Sequence, residues 1–376
     1  MAERVLITGG AGFVGSHLAD ALAGAGHEVV LLDNLEPQVH GSNATRPAYL
    51  DPRHRLEHGD VRDADRLAPL TREADVVFHF AAMVGVGQSM YQIRRYTDVN
   101  AMGMATLLEV LAADRGRVRK LLVASSMSIY GEGAYYCRVC ECAQAPRLRP
   151  PEQMAAGDWD VRCPRCGASL EPRPTAEDKP LSPTSIYAIT KRDHEEMALA
   201  FGQAYDLPAV ALRFFNIYGS RQALTNPYTG VAAIFSGRML AGETPVVYED
   251  GRQLRDFVHV ADIVQACRLA MTDPAADHQV LNVGTGRPIS VLEVGQHLAR
   301  ELGWKGGFDI VRKFRAGDVR HCFADITRIR SLLGYEPRYR FEDGVRELVA
   351  WVAQQRRVTP HGPDVDRELA AHGLVR

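Results

Sequence analysis

The sequence lacks the features that would place the chain in a membrane or on nucleic acid. It has no apolar run of about 18 residues, the length that a membrane-spanning helix needs. Its opening residues, MAERVLITGG, lack the charged region, apolar core and cleavage site of a signal peptide. The formal net charge is only −2 over 376 residues, so no field of one sign favours nucleic acid or an acidic surface. We therefore expect a cytoplasmic protein with no membrane partner and no nucleic-acid partner.

The pattern of apolar segments predicts an α/β fold. Short apolar runs alternate with amphipathic segments as far as a run at 209–214, which predicts a Rossmann-type, doubly wound parallel sheet covered by helices on both faces. A proline-rich and cysteine-rich stretch interrupts this alternation and is typical of an insertion. After Gly219 the alternation loosens, which predicts a smaller mixed lobe.

These changes of pattern divide the chain into five predicted regions. They are residues 1–134, the first part of the Rossmann core; 135–180, the insertion; 181–219, the rest of the core; 220–357, mainly the second lobe; and 358–376, a polar tail.

A glycine-rich turn follows the first predicted strand. Gly9 would allow the tight turn, Gly12 would let a pyrophosphate approach the backbone, and Gly15 would let the following helix pack closely. The N-terminus of that helix offers unpaired N–H groups to phosphates. Asp33 ends the second strand, where a carboxylate binds ribose hydroxyls and repels a 2′-phosphate. The order strand, turn, helix, strand and acid predicts binding of NAD rather than NADP.

A tyrosine and a lysine lie four residues apart on a later predicted helix. This spacing places Tyr187 and Lys191 on one face. An ammonium close to a phenol lowers the phenol pKa toward neutrality and makes it a usable base. Ser125 and Ser126 end a predicted strand, where a hydroxyl could share a hydrogen bond with a substrate oxygen. These residues predict an acid–base site beside the cofactor.

Several segments together resemble the extended short-chain dehydrogenase/reductase family, which comprises nucleotide-sugar epimerases and dehydratases. They are TGGAGFVG, HFAA, VASSMSIYG, YAITK, RFFNIYG, RDFVHVAD, LNVGTG and FRAGD, and they span residues 4–345 in the family order. The resemblance implies that Ser126, Tyr187 and Lys191 are catalytic and that the lobe of residues 220–357 binds mainly the nucleotide sugar. Family members often dimerise through the helices that carry Asn100 and Tyr187, so a homodimer is expected.

The residues and the resemblance together give two sets of predicted contacts. The cofactor contacts are Gly9, Gly12, Phe13, Val14, Gly15, Asp33, Asn34, Asp60, Val61, Phe80, Ala81, Ala82, Asn100, Ser125, Tyr187, Lys191 and Phe214. The contacts to a nucleotide-diphosphate sugar are Ser89, Ser126, Ser128, Asn216, Arg255 and Arg315. An arginine fork suits a diphosphate, because it can donate two parallel hydrogen bonds.

The residues after the catalytic hydroxyl divide the family by reaction. The 4,6-dehydratases resemble Thr-Asp-Glu there and the glucuronate decarboxylases Thr-Ser-Glu, whereas this chain has Ser126-Met127-Ser128. Without a carboxylic acid, dehydration and glutamate-assisted decarboxylation are disfavoured. What remains is 4-epimerisation, in which C4 is oxidised and a hydride returns to the opposite face. The segments SSMSIYGEG and RFFNIYGSRQALTNPYTG resemble the dTDP-L-rhamnose 4-epimerases.

Two kinds of alternative stay open at this point. Among enzymes, the chain could be a UDP-glucuronate decarboxylase or epimerase, or a 4-ketoreductase that uses a different acid. Outside enzymes, it could be an NAD-sensing interaction protein on the same fold. The presence of both Tyr187 and Lys191 favours an enzyme.

The insertion contains five of the seven cysteines. Cys137 and Cys140 form one CxxC pair, and Cys163 and Cys166 form another, with 22 residues between the two pairs. Two such knuckles are typical of a structural zinc ion held by four thiolates, so we predict Zn²⁺ as a structural cofactor. Cys142 could replace Cys140 only by breaking the CxxC spacing, so it is expected not to be a ligand. Free buried thiols, disulfides or a catalytic zinc ion are the alternatives.

Overall fold

The computed structural model describes residues 2–42, 45–224, 226, 230–356 and 365–376. The strands of this part of the chain are β1 (Arg4–Thr8), β2 (Glu28–Asp33), β3 (Arg55–His58), β4 (Val76–His79), β5 (Lys120–Ser126), β6 (Ala134–Cys137), β7 (Cys142–Gln144), β8 (Glu171–Arg173), β9 (Ala209–Phe214), β10 (Asn216–Tyr218), β11 (Val246–Val247), β12 (Leu254–His259), β13 (Val280–Val283), β14 (Pro288–Ser290), β15 (Asp309–Ile310) and β16 (His321–Cys322).

The helices alternate with these strands. They are α1 (Phe13–Gly24), α2 (Pro37–His40), α3 (Ala64–Glu73), α4 (Val86–Ser89), α5 (Ile93–Tyr96), α6 (Gly103–Ala113), α7 (Pro151–Ala155), α8 (Ile186–Ala204), α9 (Val231–Leu240), α10 (Val260–Thr272), α11 (Val291–Leu302), α12 (Thr327–Leu333), α13 (Phe341–Arg356) and α14 (Val365–Ala371). A π-helical segment, Thr97–Met102, leads into α6. Within the described ranges, no helix combines the length and apolar character that crossing a membrane requires.

Seven parallel strands form the central sheet in the order β3-β2-β1-β4-β5-β9-β13. Their apolar runs are buried on both faces, as parallel sheets require. One face carries α1 and α10, and the other carries α3, α6 and α8. The predicted doubly wound Rossmann fold is therefore confirmed.

A second lobe packs at the carboxyl end of the central sheet. Its small sheet joins β10, β12, β14 and β16, and α9, α11 and α13 enclose an apolar core that includes Phe235, Leu298 and Leu348. The predicted region 220–357 is not wholly this lobe, because α10 and β13 return to the central sheet. Ile263 and Leu281 are buried in the Rossmann core, since their apolar side chains face β9 and its neighbours rather than the lobe.

The insertion has a small sheet of its own, in the antiparallel order β7-β6-β8. Its core consists of Tyr135, Cys137, Val161, Cys163 and Leu170. Main-chain hydrogen bonds join both of its ends to the segment around β16, from Gly133 N–H to the His321 carbonyl at 2.8 Å and from Thr175 N–H to the Phe323 carbonyl at 2.8 Å. The insertion is thus anchored to the second lobe as well as to the core.

The C-terminal segment 365–376 is docked, whereas the sequence predicted a polar tail. Arg376 exchanges two main-chain hydrogen bonds with Phe314, at 2.9 and 3.0 Å. The His372 ring stacks on Tyr91 with centroids 4.2 Å apart. Leu369 is buried, and burial of this apolar side chain favours a docked segment over a solvated tail. The remainder of the predicted tail, 358–364, lies outside the described residues.

Candidate active site

A cavity of about 450 Å³ runs along the carboxyl ends of β1, β2, β4, β5 and β9, where ligands bind in open α/β sheets. Of the predicted cofactor residues, it brings together Gly9, Gly12, Phe13, Val14, Gly15, Asp33, Asn34, Val61, Phe80, Ala81, Ala82, Ser125, Tyr187, Lys191 and Phe214. Asp60 and Asn100 do not line it. Of the predicted sugar contacts, Ser126, Ser128 and Asn216 line it, and Ser89, Arg255 and Arg315 do not.

The glycine turn is packed so tightly that side chains would not fit. Gly9 has a φ of +68°, and a Cβ there would lie 2.8 Å from the Ala81 nitrogen. A Cβ on Gly15 would lie 2.4 Å from the Gly9 carbonyl oxygen. The first helical turn begins after Gly12, and no side chain caps it. The uncapped N-terminus of α1 therefore faces the cavity as an anion site, which fits a pyrophosphate.

Asp33 is buried where β2 ends beside this turn. Its carboxylate accepts hydrogen bonds from Ala11 N–H at 3.0 Å and Leu35 N–H at 2.9 Å. Burial raises its pKa, while the nearby His40 and these N–H donors act in the opposite direction. Asp33 is thus held at the adenosine end, where it would accept from ribose hydroxyls. Asn34 donates to Asp60 at 3.1 Å, so Asp60 orients Asn34 from outside the cavity.

Ser126, Tyr187 and Lys191 meet between β5 and α8. Ser126 accepts a hydrogen bond from the Ser128 hydroxyl at 2.9 Å, and its hydrogen bond with Tyr187 acts to lower the tyrosine pKa. Burial nevertheless dominates and raises the pKa of Tyr187 to about 12. Burial also lowers the pKa of Lys191 to about 7. Lys191 Nζ donates to the Ala124 carbonyl at 3.0 Å, and burial rather than the ammonium sets the direction of the shift in the Tyr187 pKa.

Two predicted contact residues position the catalytic helix instead of lining the cavity. The Ser89 hydroxyl donates to the Val86 carbonyl at 2.7 Å and accepts from the Tyr187 N–H at 3.0 Å. Ser89 is fully buried, so its prediction as a sugar contact is corrected. Asn100 is also fully buried, and its amide bonds the Met83 main chain and the Thr190 hydroxyl.

Two buried histidines lie behind Lys191. The rings of His79 and His194 are 5.1 Å apart, and the ring nitrogens contact the Thr8 hydroxyl and the Asn100 carbonyl respectively. Burial, reinforced by the charge of Lys191, lowers the pKa of His79 to about 3 and holds the pKa of His194 far below its usual value. Both imidazoles are therefore neutral at physiological pH.

The two predicted phosphate-binding arginines lie in the second lobe, outside the cavity lining. Arg255 donates to the carboxylate of Asp318 at 3.0 Å and to the Val319 carbonyl at 2.7 Å. The guanidinium of Arg315 lies 4.2 Å from the ring centroid of Tyr248. Both side chains are thus held by the lobe. Of the three residues predicted to bind the diphosphate, Asn216 is the one that lines the cavity. Its Oδ1 is buried without a hydrogen-bond partner among the described residues, as expected for a group that bonds a ligand.

Sequence reasoning missed a polar cluster that joins the short helices α2, α4 and α5 to Asn226 of the second lobe. Gln38 donates to Gln88 and to Asn226, each at 3.0 Å, and Tyr96 donates to Gln88 at 3.0 Å. Gln38 and Asn226 line the cavity and lie 188 residues apart in the chain. No local motif indicates such a contact, because it exists only once the second lobe is docked on the core.

The four predicted metal ligands converge in the insertion. All four sulfur atoms of Cys137, Cys140, Cys163 and Cys166 lie within 4.8 Å of one another, and two of the separations are 3.5 and 3.9 Å. Tetrahedral zinc with Zn–S bonds of about 2.3 Å requires sulfurs about 3.8 Å apart. The donor set therefore fits Zn²⁺. Cys142 lies outside this group, and its sulfur accepts from Gln144 at 3.0 Å.

Comparisons with known proteins identify the family of the chain. The family model described as "NAD dependent epimerase/dehydratase family" matches residues 5–151, and "GDP-mannose 4,6 dehydratase" matches residues 167–348. The chain is 34% identical over 357 residues to a dTDP-L-rhamnose 4-epimerase of Burkholderia thailandensis, covering 94% of this chain and 96% of the relative. Other relatives are described as UDP-glucose 4-epimerase and UDP-N-acetyl-alpha-D-glucosaminuronate decarboxylase.

Solved structures give the same result. The UDP-glucose 4-epimerase of Thermotoga maritima with UDP-glucose is similar with a TM-score of 0.76 and 30% identity, covering 94% of this chain and 99% of that one. The UDP-glucose 4-epimerase of Thermus thermophilus in complex with NAD has a TM-score of 0.72 and 29% identity, covering 93% and 99%.

Fold, glycine turn and Ser–Tyr–Lys site together define an NAD-binding enzyme fold of the short-chain dehydrogenase/reductase type. The chain belongs to the NAD-dependent epimerase/dehydratase family, the extended branch of that class, whose members act on nucleotide sugars.

Proposed function

We propose that the protein is a nucleotide-sugar 4-epimerase that uses NAD and interconverts dTDP-L-rhamnose and dTDP-6-deoxy-L-talose. The observation that carries the reaction type is the distribution of carboxylates around the cavity. Among the described lining residues, the carboxylates are Asp33 and Glu36, both at the adenosine end. No lining acid lies beside Ser126 to protonate a leaving hydroxyl, which argues against dehydration.

The chain's own groups would handle a proton at O4 of the sugar. Tyr187 would accept this proton in the first half of the reaction and return it in the second, with the Ser126 hydroxyl bonded to the same oxygen. NAD, when bound, supplies the acceptor for the C4 hydride and the donor that returns it. Lys191, with a pKa of about 7, would be charged in a substantial fraction of molecules at neutral pH and would then favour the phenolate.

The choice of sugar is supported by similarity. The chain resembles the Burkholderia dTDP-L-rhamnose 4-epimerase over nearly its whole length. Asn216, Arg255 and Arg315 would bind the diphosphate, with the two arginines reaching toward it from the lobe. The sugar would occupy the space between these residues and Ser126.

A panel assay tests this assignment. Purified protein would be incubated separately with dTDP-L-rhamnose, UDP-glucose and UDP-glucuronate, without added NADH, and the products identified by NMR. We expect dTDP-6-deoxy-L-talose from the first substrate. Release of CO₂ from UDP-glucuronate would favour a decarboxylase, a requirement for added NADH a 4-ketoreductase, and turnover of UDP-glucose alone would contradict the proposed substrate. NAD binding without turnover of any nucleotide sugar would favour the non-enzymatic alternative.

We also propose that the insertion binds one structural zinc ion through Cys137, Cys140, Cys163 and Cys166. Four thiolates close the coordination sphere, so no position is left for a substrate. Metal analysis should find about one zinc per chain, and Cys163→Ser should abolish it. Cys142→Ser is the matched control in the same module and should retain the metal. Zinc retained by Cys163→Ser, or lost from the control, would contradict this ligand set.

A homodimer is the proposed assembly. The helix α5, the π-helical segment that leads into α6, and α8 expose apolar side chains, with Ile93 51%, Met102 53% and Ile189 44% exposed. Such a patch beside Asn100 and Tyr187 fits an interface between two copies. Light scattering should give twice the chain mass of 41.4 kDa, and Ile189→Glu should give monomers. A monomeric wild-type protein would exclude this assembly.

A further inference from the structure

A buried network of charges joins the insertion to the second lobe. Arg149, which belongs to the insertion, donates to both carboxylate oxygens of Glu249, each at 2.9 Å. Arg320 donates to the same carboxylate at 3.0 Å and to Asp250 at 2.6 and 2.8 Å. Glu132, beyond the catalytic strand, accepts from the Arg320 N–H at 2.8 Å. The side chains of Arg149 and Glu249 are each 1% exposed.

Two partners of Arg149, Glu249 and Asp318, lie in segments that contact the two proposed diphosphate arginines. Glu249 follows Tyr248, on which Arg315 stacks. Arg149 also lies 3.5 Å from the Asp318 carbonyl oxygen, and the carboxylate of Asp318 holds Arg255. Arg149 is therefore linked to Arg255 through Asp318, and to Arg315 through Glu249 and the adjacent Tyr248.

A second contact joins the insertion to the segment that carries Arg315. Trp159 packs against Phe314 with ring centroids 6.5 Å apart, and Met154 completes this small apolar cluster. Arg149 also donates to the Trp159 carbonyl at 3.1 Å. Phe314 precedes Arg315 in the chain. The insertion therefore contacts this segment both through Trp159 and through Arg149.

We propose that Arg149 is a positioning residue through which the insertion fixes Arg255 and Arg315 for binding the nucleotide diphosphate. The proposal rests on the proposed function for the identity of the ligand. Arg149 is too deeply buried to touch a ligand itself. Its fork fits the Glu249 carboxylate with two parallel hydrogen bonds, which sets the angle as well as the distance between the insertion and the lobe.

The expected consequence is selective for the nucleotide end of the substrate. Removing the guanidinium leaves the buried Glu249 with Arg320 as its remaining cationic partner among the described residues, and it lets the segments 248–250 and 314–320 shift. Loss of a hydrogen bond between an arginine and a charged phosphate weakens binding by about 10-fold to 100-fold. The glycine turn between β1 and α1 makes none of these contacts, so the NAD content of the protein should not change.

The test compares Arg149→Met with Arg147→Met, an exposed arginine of the same loop. The probes are dTDP and UDP, and their Kd would be measured by calorimetry together with KM, kcat and the NAD content of the purified protein. We expect the Arg149 variant to raise the Kd of the bound diphosphate and the KM by about 10-fold to 100-fold, with kcat changed less than threefold and full NAD content. The Arg147 variant should match the wild type.

The outcomes separate this proposal from the proposed function. If the wild type binds neither dTDP nor UDP, the proposed function fails. If it binds one of them and a folded Arg149→Met binds it equally well, the positioning role is overturned. If Arg149→Met does not fold, Arg149→Lys, which keeps the charge but not the fork, decides the question. A raised Kd with normal NAD content then supports the proposal, and an unchanged Kd overturns it.

Discussion

The contacts that fix the cofactor end of the cavity join residues close in sequence, whereas those that fix its nucleotide-sugar end join residues far apart in sequence. At the cofactor end, the hydrogen bond between Ala11 and Asp33 spans 22 residues within one strand–turn–helix–strand unit. At the other end, the contact from Arg149 to Glu249 spans 100 residues, and that from Arg320 to Glu132 spans 188. The first end is fixed by local backbone chemistry and the second by the docking of separate parts.

This difference predicts two kinds of loss. Changes in the glycine turn should remove the cofactor, because the turn has no freedom to adjust. Changes in the insertion or the C-terminal segment should weaken binding of the nucleotide sugar and leave the cofactor in place. Tyr187 lies where the two ends meet, so its loss should affect the chemical step alone.

The largest effect is expected for Tyr187→Phe. Removal of a general acid–base group lowers kcat by about 10²-fold to 10⁴-fold, while NAD content and dTDP binding should stay unchanged. Tyr96→Phe is the matched control, because Tyr96 packs 6.5 Å from the Tyr187 ring and its hydroxyl donates to Gln88 rather than to a group of the catalytic set. A Tyr187→Phe variant with more than a tenth of wild-type kcat would show that another group transfers the proton.

Gly15→Ala should have the next largest effect, at the cofactor end. Its Cβ would lie 2.4 Å from the Gly9 carbonyl oxygen, so the turn must move, at a cost of about 1–3 kcal/mol. The purified variant should contain little NAD and unfold at a lower temperature. Gly24→Ala, in the same helix with no atom within 4 Å of the added carbon, should keep its NAD. Equal NAD content in the two variants would show that the glycine turn can adjust to an added side chain and still bind NAD.

The same contrast explains what the sequence could predict. Gly9, Gly12, Gly15 and Asp33 could be placed in advance, because a turn between a strand and a helix has few backbone solutions. The cysteine spacing likewise predicted four thiols that the structure brings together, since each CxxC pair closes its own hairpin.

Residues whose role depends on docking could not be placed in the same way. Ser89 looked like a sugar contact, but its hydroxyl is used by the Tyr187 N–H once α4 packs against α8. Arg149 carries no motif at all, because its partner lies 100 residues away. Burial also reversed one expectation, since the pKa of Tyr187 depends more on desolvation than on Lys191.

Removal of residues 365–376 should have a moderate effect at the nucleotide-sugar end. Phe314 and Ala316 would lose their main-chain partners in the segment that carries Arg315, and KM should rise severalfold with NAD content unchanged. His372→Ala, which removes only the ring stacked on Tyr91, should give a smaller change. Steady-state kinetics measure both, and a KM unaffected by the deletion would mean that this segment does not support the site.

The smallest expected effect concerns stability in acid. The folded pKa of His79 is lowered to about 3 by burial, so between pH 6.5 and pH 3 the unfolded chain binds the extra proton. The contribution of neutral, buried His79 to the free energy of unfolding is therefore complete above about pH 6.5. Below that pH it falls by up to about 1.4 kcal/mol per pH unit. His79→Gln should show a shallower loss of unfolding free energy between pH 7 and 5.5. The exposed His278→Asn should keep the wild-type slope, and equal slopes in all three proteins would contradict the assignment.

The central claim is that the hydride removed from C4 returns to the same carbon without net oxidation. The most direct measurement is the conversion of dTDP-L-rhamnose deuterated at C4, in ordinary water and without added NADH, followed by NMR and mass spectrometry. We expect dTDP-6-deoxy-L-talose that retains its deuterium at C4. Loss of the deuterium to solvent, or no product until NADH is added, would contradict it.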